Sequence, residues 1–382
     1  MDRVRIGVVG VGGMGSAHAK ALNDIEEAEL TCVCDIDEPT ANAVAAEHSV
    51  PGFPDHLSLI NSGLADAVII ATPHYFHPPI AIDAMQNGLH VLSEKPIGVT
   101  VGAADKMIQT AKESGKVFVV MYQSRTRPDY QAAHKLVEEG RLGELYRTCL
   151  IFPDFRSQAY YESATWRATW RGEGGGVMLN QAPHPIDLFT WLGGMPSRVT
   201  AKTVTRRHDI EVEDEASALL EYPNGATGFL HASVNEVPGS LLMEFAGEQG
   251  KLSFRDGQLR FWSVATPVQE FTDTTEEMWA KLETREEEVA LEERETGHGA
   301  IIRNFCRAIL YGEARITPGE EGIHSLELVN AILLSGAKNR PVHLPLDRAE
   351  YDAFIEEKKK ASKEKKVKGP VKRITDPRHV KK

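Results

Sequence analysis

The stretch best equipped for chemistry is His90-Val91-Leu92-Ser93-Glu94-Lys95-Pro96, where an apolar run ends in a carboxylate, an ammonium and a ring-locked proline. A charged pair at the carboxyl end of a parallel strand sits where open α/β sheets bind their ligands. Lysine shifts its pKa readily when partly desolvated, so Lys95 suits proton transfer or substrate orientation. The same pair also reads as a surface ion pair at a strand end. A second polar group lies in the segment from Gly174-Gly175-Gly176 to Gly193-Gly194, which carries Asn180, Gln181, His184, Asp187 and Trp191. Pro183 and Pro185 are tolerated only in a helix's first turn, so a helix starts near Ala182. His184, Asp187 and Trp191 then share one face, with Asn180 just ahead of it. Imidazole accepts protons near neutral pH, and Asp187 one turn on can fix its tautomer. An isolated histidine at a helix start is more often a cap or core residue. Here the triple glycine, read as room for a close ligand approach, favours function.

The elements that must position these groups begin at once. Val4 to Val9 is a β-rich run, and Gly10-Val11-Gly12-Gly13-Met14-Gly15 leads from it into the helical composition of residues 16–22. Glycines at 10, 12 and 15 permit a tight turn, close approach of a pyrophosphate and close helix–strand packing, with the helix N-terminus facing the phosphates. Gly13 and Met14 complete that cradle. A second strand, Leu30 to Cys34, ends in Asp35, twenty residues after Gly15. A carboxylate there accepts both ribose hydroxyls and repels a 2′-phosphate, which favours NAD over NADP. Residues 65–71 form a third strand, ending in Thr72-Pro73-His74-Tyr75-Phe76-His77. Thr72, Pro73 and His77 are expected at the cofactor cleft along with Glu94, although His77 reads equally as a backbone-bonding residue. The alternation continues through helices at 80–88 and 101–114 and a strand at 117–121, which makes a doubly wound parallel sheet.

Beyond Arg125 the rhythm changes. A helix at 130–139 is followed by strand-like runs at 145–152, 199–206, 216–222, 228–234, 241–246, 250–254 and 258–263, joined by turns such as Pro223-Asn224-Gly225 and Asp256-Gly257. These predict an open, mostly antiparallel sheet. The expected division is residues 1–123 for an NAD-binding Rossmann domain, 124–346 for a substrate-binding α+β domain, and 347–382 for a helical to disordered basic tail. Residues 274–295, dense in glutamate, read as a solvated excursion, and 301–310 and 320–336 as amphipathic helices.

The 382 residues are 42% hydrophobic and 26% charged, ordinary values for a soluble globular protein. From Lys358 onward the balance is strongly basic, yet the whole carries −12, so the body is acidic and nucleic acid is disfavoured as partner. The lysine-rich tail reads as a solvated, frayed end. No run approaches a membrane span or a signal-peptide core, and Cys32, Cys34, Cys149 and Cys306 form neither a disulfide framework nor a metal pattern. A cytoplasmic protein with no metal site is expected.

Taken together, these motifs resemble the glucose-fructose oxidoreductase / inositol dehydrogenase (Gfo/Idh/MocA) family. The resemblance rests on the three glycines, Asp35, Ala71-Thr72-Pro73 with His77, Glu94-Lys95-Pro96, Arg125 with Pro128, the glycine run before His184 and Asp187, and Pro341-Val342-His343-Leu344-Pro345. It implies hydride transfer between NAD and a secondary hydroxyl of a sugar, cyclitol or related polyol, with the lysine and the helix histidine flanking that hydroxyl. Inositol-dehydrogenase-like members carry an aspartate four residues before the histidine, where this chain has Asn180. Asparagine takes no proton, so the acid/base work falls on His184, Lys95 or a relay between them, while Asn180 and Gln181 hydrogen-bond substrate hydroxyls. Arg125, Trp166, Arg167 and Trp170 are expected in the substrate wall, with domain-interface packing as the other reading of the tryptophans. A sugar or polyol dehydrogenase leads. A glycosidase using transient oxidation by tightly held NAD, and a non-catalytic NAD-binding sensor, are the alternatives. A homodimer or homotetramer through the C-terminal sheet is expected, because an open sheet face is usually covered.

Overall fold

The computed structural model describes residues 2–365. Six parallel strands form the first sheet: β1 (Val4–Val9), β2 (Ala28–Cys34), β3 (Gly52–Phe53), β4 (Ala67–Ile70), β5 (His90–Ser93) and β6 (Phe118–Val120). Their order is β3-β2-β1-β4-β5-β6, so the chain reverses direction across the sheet between β1 and β4, the switch point of a doubly wound fold. The strands read as nearly continuous apolar runs because both faces are covered. The predicted helix over 101–114 is present with those bounds; Thr100 caps it by accepting from the Ala103 N–H, and left-handed Gly115 (φ 66°) ends it.

The second sheet has nine strands: β7 (Leu145–Pro153), β8 (Arg198–Val204), β9 (Glu215–Glu221), β10 (Thr227–Ser233), β11 (Leu242–Gly247), β12 (Gly250–Arg255), β13 (Gln258–Val264), β14 (Thr284–Glu287) and β15 (Val342–His343). Its order is β14-β13-β12-β11-β7-β10-β9-β8-β15, and only β7 with β10 is parallel. One face packs Leu150, Leu220 and Leu230 under the helices Pro183–Gly193 and Gly322–Lys338. The other presents a row of Leu219, Phe229 and Cys149 in register, with Leu219 61% exposed.

Three expectations change. The glutamate-rich excursion contributes β14, an edge strand on β13. The helix Gly297–Tyr311, expected with the second sheet, instead packs Ile301, Ile302, Phe305 and Cys306 beneath the first sheet, against Ile6, Ile69 and Leu92. The tail is not frayed at its start. The helix Arg348–Ala361 lies on the helix 101–114 through an Arg348–Asp105 ion pair, and Lys365 Nζ donates to the carbonyls of Tyr161 and Arg167 at 2.6 and 2.9 Å. Residues 366–382 of the basic tail fall outside the described residues. Asn330, fully buried, joins the two halves by bonding the Val101 N–H and the Val99 carbonyl. Among the described residues no helix is long and apolar enough to cross a membrane.

Candidate active site

The glycine turn is shaped as its spacing predicts. Gly10 has φ 85°, and a Cβ there would meet Thr72 Cγ2 at 2.8 Å; one on Gly15 would strike the Gly10 carbonyl oxygen at 1.8 Å. A Cβ on Gly12 would meet nothing within 4 Å, so its backbone borders open space at the start of the helix Gly13–Ala21. That opening, together with the free N–H groups of a helix's first turn, fits a pyrophosphate. Asp35 lies beside the turn, accepting from the Val11 N–H at 3.0 Å and the Asp37 N–H at 3.0 Å. Gly12, Gly13, Met14 and Gly15 on one side and Asp35 on the other would hold the cofactor. Thr72 and Pro73 follow β4 at the carboxyl edge, and the Thr72 hydroxyl is buried with no hydrogen-bond partner among the described residues.

Two expected cofactor contacts are spent elsewhere. His77 is fully buried, with Nδ1 2.8 Å from the Pro96 carbonyl oxygen and Nε2 2.7 Å from that of Thr72. Burial pulls this imidazole below its ordinary range against those carbonyls, and its role is to tie the ends of β4 and β5 together. The Glu94 carboxylate bonds His18 Nε2 at 2.7 Å and the Lys95 N–H at 3.1 Å. Burial would raise it, but His18, His298 and Lys95 together hold it well below the usual carboxylate range.

Lys95 leaves β5 toward the second half of the chain. Its Nζ donates to the Asn180 backbone carbonyl at 3.1 Å. Burial lowers its pKa, opposed by the charges of Glu94 and Glu173 and assisted by Arg167 and Arg156. Asn180 closes a single helical turn, Val177–Asn180, and the helix Pro183–Gly193 starts three residues on, as the prolines predict. His184 stands in that helix's first turn, edge-on to Tyr122 with ring centroids 6.0 Å apart. The strand-end lysine and the start of the histidine helix therefore meet through Asn180.

Asp187 does not serve His184. Its carboxylate forms a bidentate pair with Arg125 at 2.7 and 2.8 Å, and both side chains are almost wholly buried. Arg125 also bonds Glu321, and its guanidinium lies over Trp191, 4.8 Å from the ring centroid. Arg125 is therefore a core residue rather than part of a substrate wall, and the face shared by Asp187 and Trp191 is used for packing. Trp170 likewise packs, edge-on to Phe354, with its indole N–H donated to the Glu211 carbonyl. The triple glycine serves the protein itself. A Cβ on Gly174 would meet Val99 at 2.2 Å, and one on Gly176 would meet the Glu213 carbonyl oxygen at 1.8 Å.

The remaining polar groups form one network. The Tyr160 hydroxyl accepts from Arg167 Nη1 at 2.5 Å, from Asn180 Nδ2 at 3.2 Å and from Gln181 Nε2 at 3.2 Å. Arg167 stacks between Tyr160 and Trp166, and Trp166 meets His74 edge-on. The second hydrogen of Asn180 Nδ2 goes to Glu173, a carboxylate 1% exposed that also accepts from the Ala168 N–H. Burial raises Glu173, opposed by Arg167, Asn180 and Lys95 among others. Sequence reading missed Glu173, Tyr160 and Glu213. Glu213 holds the glycine loop by accepting from the Gly176 and Met178 N–H groups, and burial pushes its carboxyl up to about 7. Glu173 and Glu213 lie in loops and Tyr160 in the single helical turn Gln158–Tyr161, all too short or irregular for periodicity; only an acidic residue directly before three glycines was visible as a signal.

Known proteins resemble this chain along much of its length. The inositol 2-dehydrogenase of Rubrobacter xylanophilus is 32% identical over 192 residues, covering 50% of this chain and 52% of that protein. A glycosyl hydrolase family 109 protein of Shewanella pealeana is 26% identical over 249 residues, 59% of this chain and 54% of that one. The chain thus spans about half the length of these two curated relatives. The crystal structure of the WlbA dehydrogenase from Bordetella pertussis, in complex with NADH and UDP-GlcNAcA, superposes with a TM-score of 0.77 at 29% identity, covering 90% of this chain and all of that one. The oxidoreductase family with an NAD-binding Rossmann fold matches residues 4–122, and the GFO/IDH/MocA C-terminal domain matches residues 130–253. The chain belongs to the GFO/IDH/MocA family of NAD-binding oxidoreductases.

Proposed function

We propose that the protein is an NAD-dependent dehydrogenase acting on a secondary hydroxyl of a sugar, cyclitol or glycoside. The observation that carries this reading is the half-buried Lys95 ammonium, its pKa lowered by desolvation, held against Asn180 beside a hydrogen-bonding wall of Tyr160, Arg167 and Gln181. Binding NAD alone requires none of these groups. NAD, when bound, would supply the hydride acceptor, and this chain's own residues would bind and orient the hydroxyl and take its proton, by Lys95 or by His184. We assign cofactor contacts to Gly10, Gly12, Gly13, Met14, Gly15, Asp35, Thr72 and Pro73, and substrate contacts to Lys95, Trp166, Arg167, Asn180, Gln181 and His184. The division into an N-terminal cofactor domain and a following substrate domain remains the working one, with the helix Gly297–Tyr311 reassigned to the first. The family 109 relative favours one second reading, a glycosidase in which oxidation is transient. Incubating the protein and NAD with polyols and aryl glycosides separates the two. NADH absorbance without aglycone release supports the dehydrogenase, and aglycone release without net NADH supports the glycosidase.

Asp35 should select NAD. Asp35→Ala is expected to weaken NAD binding roughly 10- to 100-fold, about 1.5–3 kcal/mol for a lost hydrogen bond to a charged group, and to narrow the gap to NADP. Titration of both cofactors checks this; a native protein that uses NADP as well as NAD removes the role given to Asp35.

The exposed row on the second sheet fits a second copy of this chain, because an open sheet face with Leu219 and Phe229 in register loses apolar surface to water only when covered. Leu219→Glu is expected to shift a dimer or tetramer to smaller species in sedimentation velocity. A native monomer would refute this assembly.

A further inference from the structure

Asn180 Nδ2 has two hydrogens, and both have partners within the protein: Glu173 on one side and the Tyr160 hydroxyl on the other. The side chain therefore has one polar atom to offer a ligand, its carbonyl oxygen, which accepts and cannot donate. Glu173 enforces that choice. One of its oxygens accepts from the Ala168 N–H and the other from Asn180, so the carboxylate presents acceptors in both directions. With Glu173 ionised, a flipped Asn180 would put its oxygen against a buried carboxylate oxygen, two acceptors in contact.

We propose that Glu173 is a positioning residue that locks the Asn180 amide with its oxygen toward the substrate, making position 180 an acceptor for a substrate hydroxyl beside Lys95. This rests on the dehydrogenase reading above. The dyad gives the site the hydrogen-bonding polarity of a carboxylate at position 180 while the Glu173 carboxyl itself stays one hydrogen bond behind it.

The lock makes an unusual demand on its variants. In Glu173→Gln the new amide must keep its oxygen on the Ala168 N–H, since its NH₂ there would face another donor. Its NH₂ then points at Asn180, which flips and offers the substrate a donor in place of an acceptor. Adding Asn180→Asp reverses this: the NH₂ of the introduced amide donates to one oxygen of the introduced carboxylate, and the other oxygen again faces the substrate as an acceptor.

The test uses the full chain, with a polyol that the native protein oxidises. Glu173→Gln is expected to lower kcat/KM roughly tenfold or more, as for a hydrogen bond mismatched at a buried site, with NADH binding and unfolding temperature near native. The double variant Glu173→Gln/Asn180→Asp is expected to recover most of that loss. Asn180→Asp alone places two carboxylates in contact, so its profile of kcat/KM against pH gains an ionisation that the double variant lacks. Native turnover in Glu173→Gln, or a double variant no better than the worse single one, overturns the proposal. Should Glu173→Gln fail to fold, an Asn180→Asp profile that superimposes on the native one overturns it instead. A native protein that oxidises nothing in the polyol panel overturns the dehydrogenase reading, and this inference with it.

Discussion

Lys95→Ala is expected to lower the turnover of alcohol oxidation by about 10²–10⁴-fold, the range contributed by a positioned proton-transfer group, while NAD affinity stays near native. The prediction follows from where Lys95 sits. Its strand carries it to the carboxyl edge of the first sheet, its Nζ reaches the Asn180 carbonyl, and burial favours the neutral amine. A lysine with a lowered pKa gives up its proton more readily than an exposed one, and with Lys95 as base the oxidation rate should rise with pH as the base form accumulates. Stopped-flow NADH formation across pH in Lys95→Ala and His184→Ala assigns that base. If the rising limb vanishes in Lys95→Ala and persists in His184→Ala, lysine is the base. The opposite pattern gives the role to the imidazole and leaves Lys95 to orient the hydroxyl. A drop below about threefold in Lys95→Ala would reduce the residue to a structural ion pair, because proton transfer is worth far more than that.

The second large effect concerns stability. Asp187→Ala leaves the Arg125 guanidinium, 2% exposed, facing a vacated site with only Glu321, itself partly open to solvent, to balance it. Burial acts to raise the Asp187 carboxyl and Arg125 opposes it, and the two-point geometry is that of a charged pair. Removing one partner of such a pair typically costs about 3–5 kcal/mol, because the other charge stays buried. Denaturant unfolding should show that loss with an unchanged slope. A change under about 1 kcal/mol would mean that water or Glu321 takes over the pairing.

Local signals in the chain were legible and long-range partnerships were not. The glycine turn, the prolines that start the histidine helix and the helix 101–114 all follow from steric rules acting over a few residues. Asp187 was matched to His184, one turn away, when its partner is Arg125, 62 residues back along the chain. Helical periodicity places both on a surface but cannot say which other element covers that surface. The triple glycine signalled a close approach correctly; what approaches is Val99 and the Glu213 backbone rather than a ligand. Glu173 could not be found this way, because its partners are a loop N–H and an amide that the pattern treats as separate features.

The return of the helix Gly297–Tyr311 beneath the first sheet bears on how the chain is made. Ile6, Ile69 and Leu92 leave the ribosome about two hundred residues or more before Ile301, Ile302 and Phe305, which form part of their cover. At synthesis rates of about 5–20 residues per second, the nascent cofactor half waits roughly 10–40 s for that helix after β6 has emerged. During that interval one face of a parallel sheet stays partly open, and its apolar surface is exposed to aggregation. A gene cut after the first sheet would make that waiting state permanent.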